Sequence, residues 1–330
     1  MTKLAQFVSK LDTVGASELL LGPGRPPLYR SSNGLLPLPG AGAVAGGELQ
    51  TLVEGWFGPD RWAHLHSRRA ISCVLGFPSH PRLRVRCTLA RLGPTLQIRV
   101  LDAPLELAEL QLPAALAGLA DLTSGLVIVT GPAGSGKSNA VASLVQVIAE
   151  RRRRHIVTLE NPVELLHHSR ISSVSQRELG AHCSSYSIGV RSALQANADV
   201  IVLGKPSDDE LCESALRAAH SALVLAEIPG RGCVLVLERL LAASAAISDS
   251  ASFADAFAAI IALELIPKRG GGRVPACEII THSQTLGVVL RNGRPGGITK
   301  LPEPAFGPGS QTLETSKLEL QRQGLIDAPA

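Results

Sequence analysis

Aromatic side chains are scarce in this 330-residue sequence: six Phe, two Trp and two Tyr make up 3% of it. That scarcity argues against the stacking platforms on which proteins lay single-stranded nucleic acid. It also leaves Leu, Val, Ile and Ala to build the cores. Charge is sparse too: charged residues are 18% of the chain and the formal net charge is +4, too little for a nucleic-acid-binding face. The one basic run, Arg151 to Arg154, reads as a solvated helix C-terminus, where cations suit the helix dipole. The cysteines Cys73, Cys87, Cys183, Cys212, Cys233 and Cys277 include no Cys-x-x-Cys pair and lie at irregular gaps. They point to neither a zinc site nor a disulfide framework. No run of about 18 charge-free apolar residues lacks Gly and Pro, so no transmembrane helix and no direct membrane insertion are expected. The opening MTKLAQFVSKLDTVG reads as a short amphipathic helix and not as a signal peptide. These absences point to a cytoplasmic protein, or one peripheral to a membrane through partners, and the length suggests two domains.

What the chain does have is patterned apolar sequence. Residues 1–105 read as a small α+β domain, with a hairpin across Leu92-Gly93-Pro94 and dense Gly and Pro from Gly22 to Gly47. Residues 106–120 read as linker and helix. From Leu126 the pattern changes: GLVIVTG, HIVTLE and ADVIVLG are strands with a helical run between the first two. Alternating strands and helices imply a parallel sheet with both faces covered. The segment after Ala305 is rich in Gly and Pro and then helical, so residues 121–330 form an α/β domain with a helical C-terminal part.

The strongest motif is GPAGSGKS, Gly131-Pro132-Ala133-Gly134-Ser135-Gly136-Lys137-Ser138. A triphosphate is a dense anion and needs many donors at close range. Gly131, Gly134 and Gly136 let the backbone curl and point N–H groups inward, and the following helix adds its positive end. Lys137 reaches the β- and γ-phosphates, and Ser138 offers its hydroxyl to Mg2+. ATP and Mg2+ are therefore the expected ligands.

Several further segments keep one order with this loop: VTLENPVE at 157–164, SQRELG at 175–180, RSALQANADVIVLGKPSDDE at 191–210, IPKRGGGRVPACEI at 266–279 and GSQTLETSKLELQRQGLI at 309–326. Together with GASELLLGPGRPPLYR at 15–30, they resemble the type IV pilus retraction ATPases (PilT-like, of twitching motility) within the type II/IV secretion ATPase superfamily. The resemblance implies an α/β fold: a RecA-like P-loop NTPase domain preceded by a PAS-like α+β domain. It also implies a ring of six subunits, and a partner platform protein of a pilus or secretion machine at the inner membrane. No four-cysteine zinc insertion is present, which favours the retraction branch. Arg84 and Arg99 align with family arginines that touch phosphate, while a third position holds Leu92.

The departures fall on the chemistry. In the acidic box Glu160 and Glu164 remain, but the Asp between them is Asn161, which loses charge and basicity. The Walker B strand should end in Gly-Glu and here ends in Gly204-Lys205; a protonated lysine cannot serve as the base. Asp199 remains but begins the strand, far from the carboxyl ends where ligands bind. Leu223 and Gly230 occupy the two positions of the histidine box, with His220 off register. The family's Ala-Ile-Arg-Asn-Leu-Ile helix reads Thr285 to Leu290 here, without its polar pair. Lys205 either lies near the γ-phosphate and holds ATP, or turns outward or pairs with Glu160.

Binding residues are intact and hydrolytic residues are altered. The sequence therefore predicts an ATP-binding subunit with weak or no hydrolysis, in a homo- or hetero-hexamer with an active retraction ATPase. Two alternatives stay open. One is an active motor in which Glu160 or Glu164 acts on water and His220 or Glu227 replaces the histidines. The other is a scaffold that no longer binds nucleotide, hinted at only by Asn139 where the family has Thr.

Overall fold

The computed structural model describes residues 3–31, 34–76, 82–101, 110, 112–113, 115–247, 250–293 and 296–327. Of the linker expected at 106–120, residues 106–109, 111 and 114 lie outside these. The chain divides into two units, Met1–Ala103 and Pro104–Ala330.

The first unit carries α1 (Lys3–Thr13), β1 (Glu18–Leu21), β2 (Leu28–Ser31), β3 (Gly34–Pro37), α2 (Gly46–Arg68), β4 (Ala70–Leu75), β5 (Arg82–Ala90) and β6 (Gly93–Leu101). Its strands form one antiparallel sheet in the order β3-β2-β1-β6-β5-β4. The β5–β6 hairpin turns at Arg91 and Leu92, one residue earlier than the sequence suggests, with Ala90 opposite Gly93. Leu83, Val85 and Cys87 of β5 alternate inward with Leu96 and Ile98 of β6. They meet Phe7, Val8 and Leu11 of α1 and Leu49 and Val53 of α2. This period-2 pattern is that of a sheet with one covered face, and the unit is the α+β domain expected. Helix α2 breaks at Gly58, where φ is +70°.

The second unit carries α3 (Ala115–Leu119), β7 (Gly125–Gly131), α4 (Lys137–Arg151), β8 (His155–Glu160), β9 (Ser173–Glu178), α5 (Tyr186–Gln195), β10 (Val200–Gly204), α6 (Asp208–Ala219) and β11 (Leu223–Pro229). After these come α7 (Cys233–Ile247), α8 (Ser250–Ala256), β12 (Phe257–Pro267), β13 (Arg273–Thr281), α9 (Gln284–Asn292) and α10 (Leu313–Arg322). The sheet order is β13-β12-β7-β11-β10-β8-β9, parallel except for the antiparallel β12–β13 pair. Along β7, Leu126 and Ile128 enter a core with α5 to α9, while Val127 and Val129 enter a core with α3 and α4. Burial on both faces is why these strands read as unbroken apolar runs. The fold is the α/β, RecA-like one expected, and α10 is the predicted C-terminal helix. It covers a small separate core of Val274, Ala276, Leu320 and Ile326.

The basic run is not simply solvated. Arg152 pairs with Asp121, and Arg154 Nη1 donates to the Leu122 carbonyl at 2.6 Å. These contacts tie the end of α4 to the segment before β7. The arginines also hold the Asp121 carboxyl below the usual carboxylate range, chiefly through the hydrogen bond from Arg152. Among the described residues, five cysteines are buried and Cys183 is half-buried. No group of three metal-binding side chains occurs among them, and no helix is long and apolar enough to cross a membrane.

Candidate functional site

Strand β7 ends at Gly131, and the chain curls into the glycine loop before α4 starts at Lys137. Gly131, Gly134 and Gly136 have φ of +151°, +76° and +93°. At Gly131 a Cβ would stand 2.4 Å from Ser135 Oγ and 2.5 Å from the Leu263 carbonyl oxygen, so only glycine fits. At Gly134 and Gly136 space is open, and the left-handed backbone is what selects glycine. Gly136 caps α4 without any side-chain hydrogen bond. The first N–H groups of a 15-residue helix therefore face the loop without a side-chain acceptor, which is the setting that suits an anion. The hydroxyls of Thr130 and Ser135 are buried there and have no hydrogen-bond partner among the described residues.

Lys137 is 8% exposed. Its Nζ folds back over the loop and donates to the carbonyls of Gly131 at 2.9 Å and Pro132 at 2.8 Å. Burial pushes its pKa down, the charge of Glu227 opposes the shift and that of Lys205 adds to it. An ammonium held in a dry loop beside uncapped N–H groups fits a phosphate chain.

Next to the loop, the carboxyl ends of β8, β10 and β11 line a cleft containing Ser138, Glu160, Glu164, Lys205 and Glu227. Ser138 Oγ donates to Glu227 Oε2 at 2.9 Å. Glu160 Oε1 accepts from Thr158 Oγ1 at 2.6 Å and Gln176 Nε2 at 3.1 Å. Burial raises the Glu160 pKa in spite of those two bonds. Lys205 pairs with Glu164 at 2.9 Å. The lysine thus turns to a carboxylate, as one sequence reading held, but the partner is Glu164 and not Glu160. Lys205 sits at φ +62°, a left-handed conformation that a non-glycine residue adopts only where its surroundings hold it. Its N–H donates to the Glu227 carbonyl at 3.0 Å, and Tyr186 donates its hydroxyl to the Gly204 carbonyl. His167 also lines the cleft, and burial, with His168 nearby, pushes its pKa down to about 4.

Other candidates lie elsewhere. Asp199 sits before the amino end of β10, where its carboxylate accepts the His155 N–H at 2.7 Å. Leu223 starts β11, buried and in register with Gly125. It is thus about 13 Å of extended strand from Glu227. His220 ends α6 at the same far side. Neither Leu223 nor His220 faces the loop of its own chain. Gly230 does lie at the loop end, its N–H bonded to the Gly131 carbonyl at 3.3 Å. A Cβ there would meet Val236 Cγ2 at 2.2 Å and Thr130 Oγ1 at 2.7 Å. Arg84 and Arg99 belong to the first unit and face each other across β5 and β6. Thr285 to Leu290 lie on α9, with Val288 exposed.

The sequence reading assigned Glu227 only as a stand-in for a histidine and missed its bond to Ser138. The signal was there: one acidic residue near the carboxyl end of the apolar run LVLAEIP. For Mg2+ the cleft supplies hydroxyl and carboxylate oxygens, the hard donors that this ion prefers. No preformed group of three ligands exists among the described residues, so such an ion would arrive with phosphates, as Mg2+ commonly does.

Comparison with known proteins agrees with this geometry. The family described as Type II/IV secretion system protein matches residues 73–291. A twitching motility protein of Neisseria gonorrhoeae is 32% identical over 255 residues, covering 76% of this chain and 68% of the relative. The type IV pilus retractation ATPase PilT of Pseudomonas aeruginosa is 27% identical over 333 residues, 99% of this chain and 95% of the relative. Among solved structures, the pilus retraction motor PilT with bound ADP superposes with a TM-score of 0.85 at 27% identity, covering 99% and 95% of the two chains.

Proposed function

The chain belongs to the type II/IV secretion system protein family, and on that premise we propose that it is an ATP-binding, PilT-like subunit of a type IV pilus or related secretion motor. In this reading it hydrolyses ATP weakly or not at all and serves an accessory or regulatory role. One contrast carries the reading. Lys205, where the family places a glutamate, is neutralised by Glu164 at 2.9 Å, while the phosphate loop keeps its glycine geometry and its buried lysine.

The triphosphate would lie along the N–H groups of residues 134–138 at the start of α4. Lys137 would exchange the Gly131 and Pro132 carbonyls for phosphate oxygens. Ser138 with a carboxylate of the cleft would hold Mg2+, which would supply positive charge to the phosphates. Hydrolysis also needs a base beside the attacking water. Lys205 is a cation in an ion pair and takes no proton. Glu160 has raised basicity, but one oxygen already accepts from Thr158 and Gln176. Loss of a positioned base lowers a rate by about 10²–10⁴-fold. Partners in this reading are a six-membered ring, of this chain alone or with an active retraction ATPase, and an inner-membrane platform protein. Arg84 and Arg99 would supply phosphate contacts, and the location would be cytoplasmic.

The test is steady-state ATP hydrolysis beside ATP binding, with Lys137→Ala as the blank. Binding with turnover at the blank level is the expected result. Turnover above the blank that Glu164→Gln abolishes would replace this reading with an active motor using displaced carboxylates. Failure to bind at millimolar ATP would leave a scaffold.

A further inference from the structure

We infer that Glu227 is the metal-positioning carboxylate of this chain, holding with Ser138 the Mg2+ of a bound nucleotide from a strand other than the one that ends in Lys205. The inference rests on the nucleotide-binding reading above and extends it to a residue type and place.

Strand order supplies the first argument. β11 lies between β7, which feeds the phosphate loop, and β10, which ends at Gly204. Glu227 is in register with Val129 on one side and Gly204 on the other. Neighbouring strands are about 4.8 Å apart, so a side chain on β11 starts one strand from the loop and one on β10 starts two. A carboxylate on β11 reaches the first turn of α4 directly, and it does so here.

The second argument is burial. Glu227 is 5% exposed and is the one carboxylate so deeply buried among the described residues. Its carboxylate accepts a hydrogen bond from the Ser138 hydroxyl at 2.9 Å. The nearby charge of Lys137 acts on it as well, but that ammonium directs its hydrogen bonds to the Gly131 and Pro132 carbonyls. The carboxylate therefore keeps acceptor capacity for a further cation.

The third argument is donor chemistry. Ser138 holds the motif position whose hydroxyl meets Mg2+. Mg2+ demands a near-regular octahedron with oxygen at about 2.0–2.1 Å, in which adjacent oxygens stand about 2.9 Å apart. The Ser138 and Glu227 oxygens are already 2.9 Å apart. By contrast, Glu164 is engaged by Lys205 and Glu160 by Thr158 and Gln176.

Calorimetric titration of ADP, with and without Mg2+, into wild type, Glu227→Gln and Ser138→Ala tests this assignment. Mn2+ binding to the ADP complex, followed by electron paramagnetic resonance, gives a readout independent of turnover. Wild type is expected to bind ADP more tightly with Mg2+. Glu227→Gln should keep or improve its Mg2+-free ADP affinity, because an anion has left the loop, and should lose most of the Mg2+ enhancement. Its Mn2+ affinity should fall by about 10–100-fold, the range for groups that tune a bound metal. Ser138→Ala should show the same selective loss, so the assignment stays open to test if Glu227→Gln does not fold. An unchanged Mg2+ enhancement in a folded variant overturns the assignment and leaves nucleotide binding standing. Absence of ADP binding in wild type overturns both.

Discussion

The two flanks of the cleft differ in kind. On the loop side, each glycine of the motif meets a backbone requirement, and Lys137 is buried against the carbonyls it closes over. On the other side, the ends of β8, β10 and β11 present side chains whose arrangement is set by one another's charges and hydrogen bonds. Lys205 pairs with Glu164, Glu160 is sequestered, and Glu227 reaches Ser138 from the strand between. The difference teaches that a loop suited to phosphate is a property of backbone geometry, whereas a hydrolytic site depends on which charge stands at each strand end.

The largest effect should come from the flank that tolerates nothing. Gly131→Ala places a Cβ 2.5 Å from the Leu263 carbonyl oxygen, which is backbone and cannot rotate away. Overpacking and a strained φ together should cost about 3 kcal/mol or more and remove ADP binding. Thermal unfolding and ADP titration check both. A stable, ADP-binding Gly131→Ala variant would break the contrast between the flanks.

Next is an attempt to add hydrolytic chemistry to the cleft. Gly230→His places a histidine at the loop end, where the family resemblance would expect one, but its Cβ meets Val236 at 2.2 Å. Destabilisation of about 1–3 kcal/mol is expected, with no gain in ATP turnover. Removing the obstacle in Gly230→His/Val236→Ala should recover part of that clash cost, again without turnover. A well-folded single variant with turnover would mean that hydrolysis is one substitution away.

The most gradual effect concerns pH. His167 has a folded-state pKa of about 4, while the unfolded chain protonates near pH 6.5. Between those values the unfolded state binds more protons, so stability falls as pH drops from about 6.5 to 4, by at most about 1.4 kcal/mol per pH unit. Urea denaturation across that window should show a shallower slope in His167→Gln than in wild type. Equal slopes would show that the cleft leaves His167 open to protons.

The loop was legible because its spacing fixes its geometry: three glycines, a lysine and a serine between a strand and a helix allow little else. The parallel sheet was legible too, since β7, β8 and β10 are buried on both faces and read as continuous apolar runs. The carboxylate cluster was not. Sequence order puts Glu227 well after Lys205 and far from Ser138, and only the placement of β11 between β7 and β10 brings it to the loop. Strand direction is equally hidden. Leu223 and Gly230 lie close in sequence, but one begins β11 and the other follows its end, so alignment alone could not tell that only Gly230 lies beside this loop. The partner of Lys205 likewise depends on how the segment after β8 folds back, which no local pattern encodes.

Lys137 carries a consequence for selectivity. The Gly131 and Pro132 carbonyls that hold its ammonium act as a competitor tethered within the same chain. A tethered competitor has a fixed effective concentration and is never diluted away. It subtracts the same amount from the affinity of every ligand that must displace it, whether that ligand carries one phosphate, two or three. Ranking among those ligands is therefore set by the contacts each one makes, including its own phosphate contact with the lysine, and not by the cost of releasing the lysine.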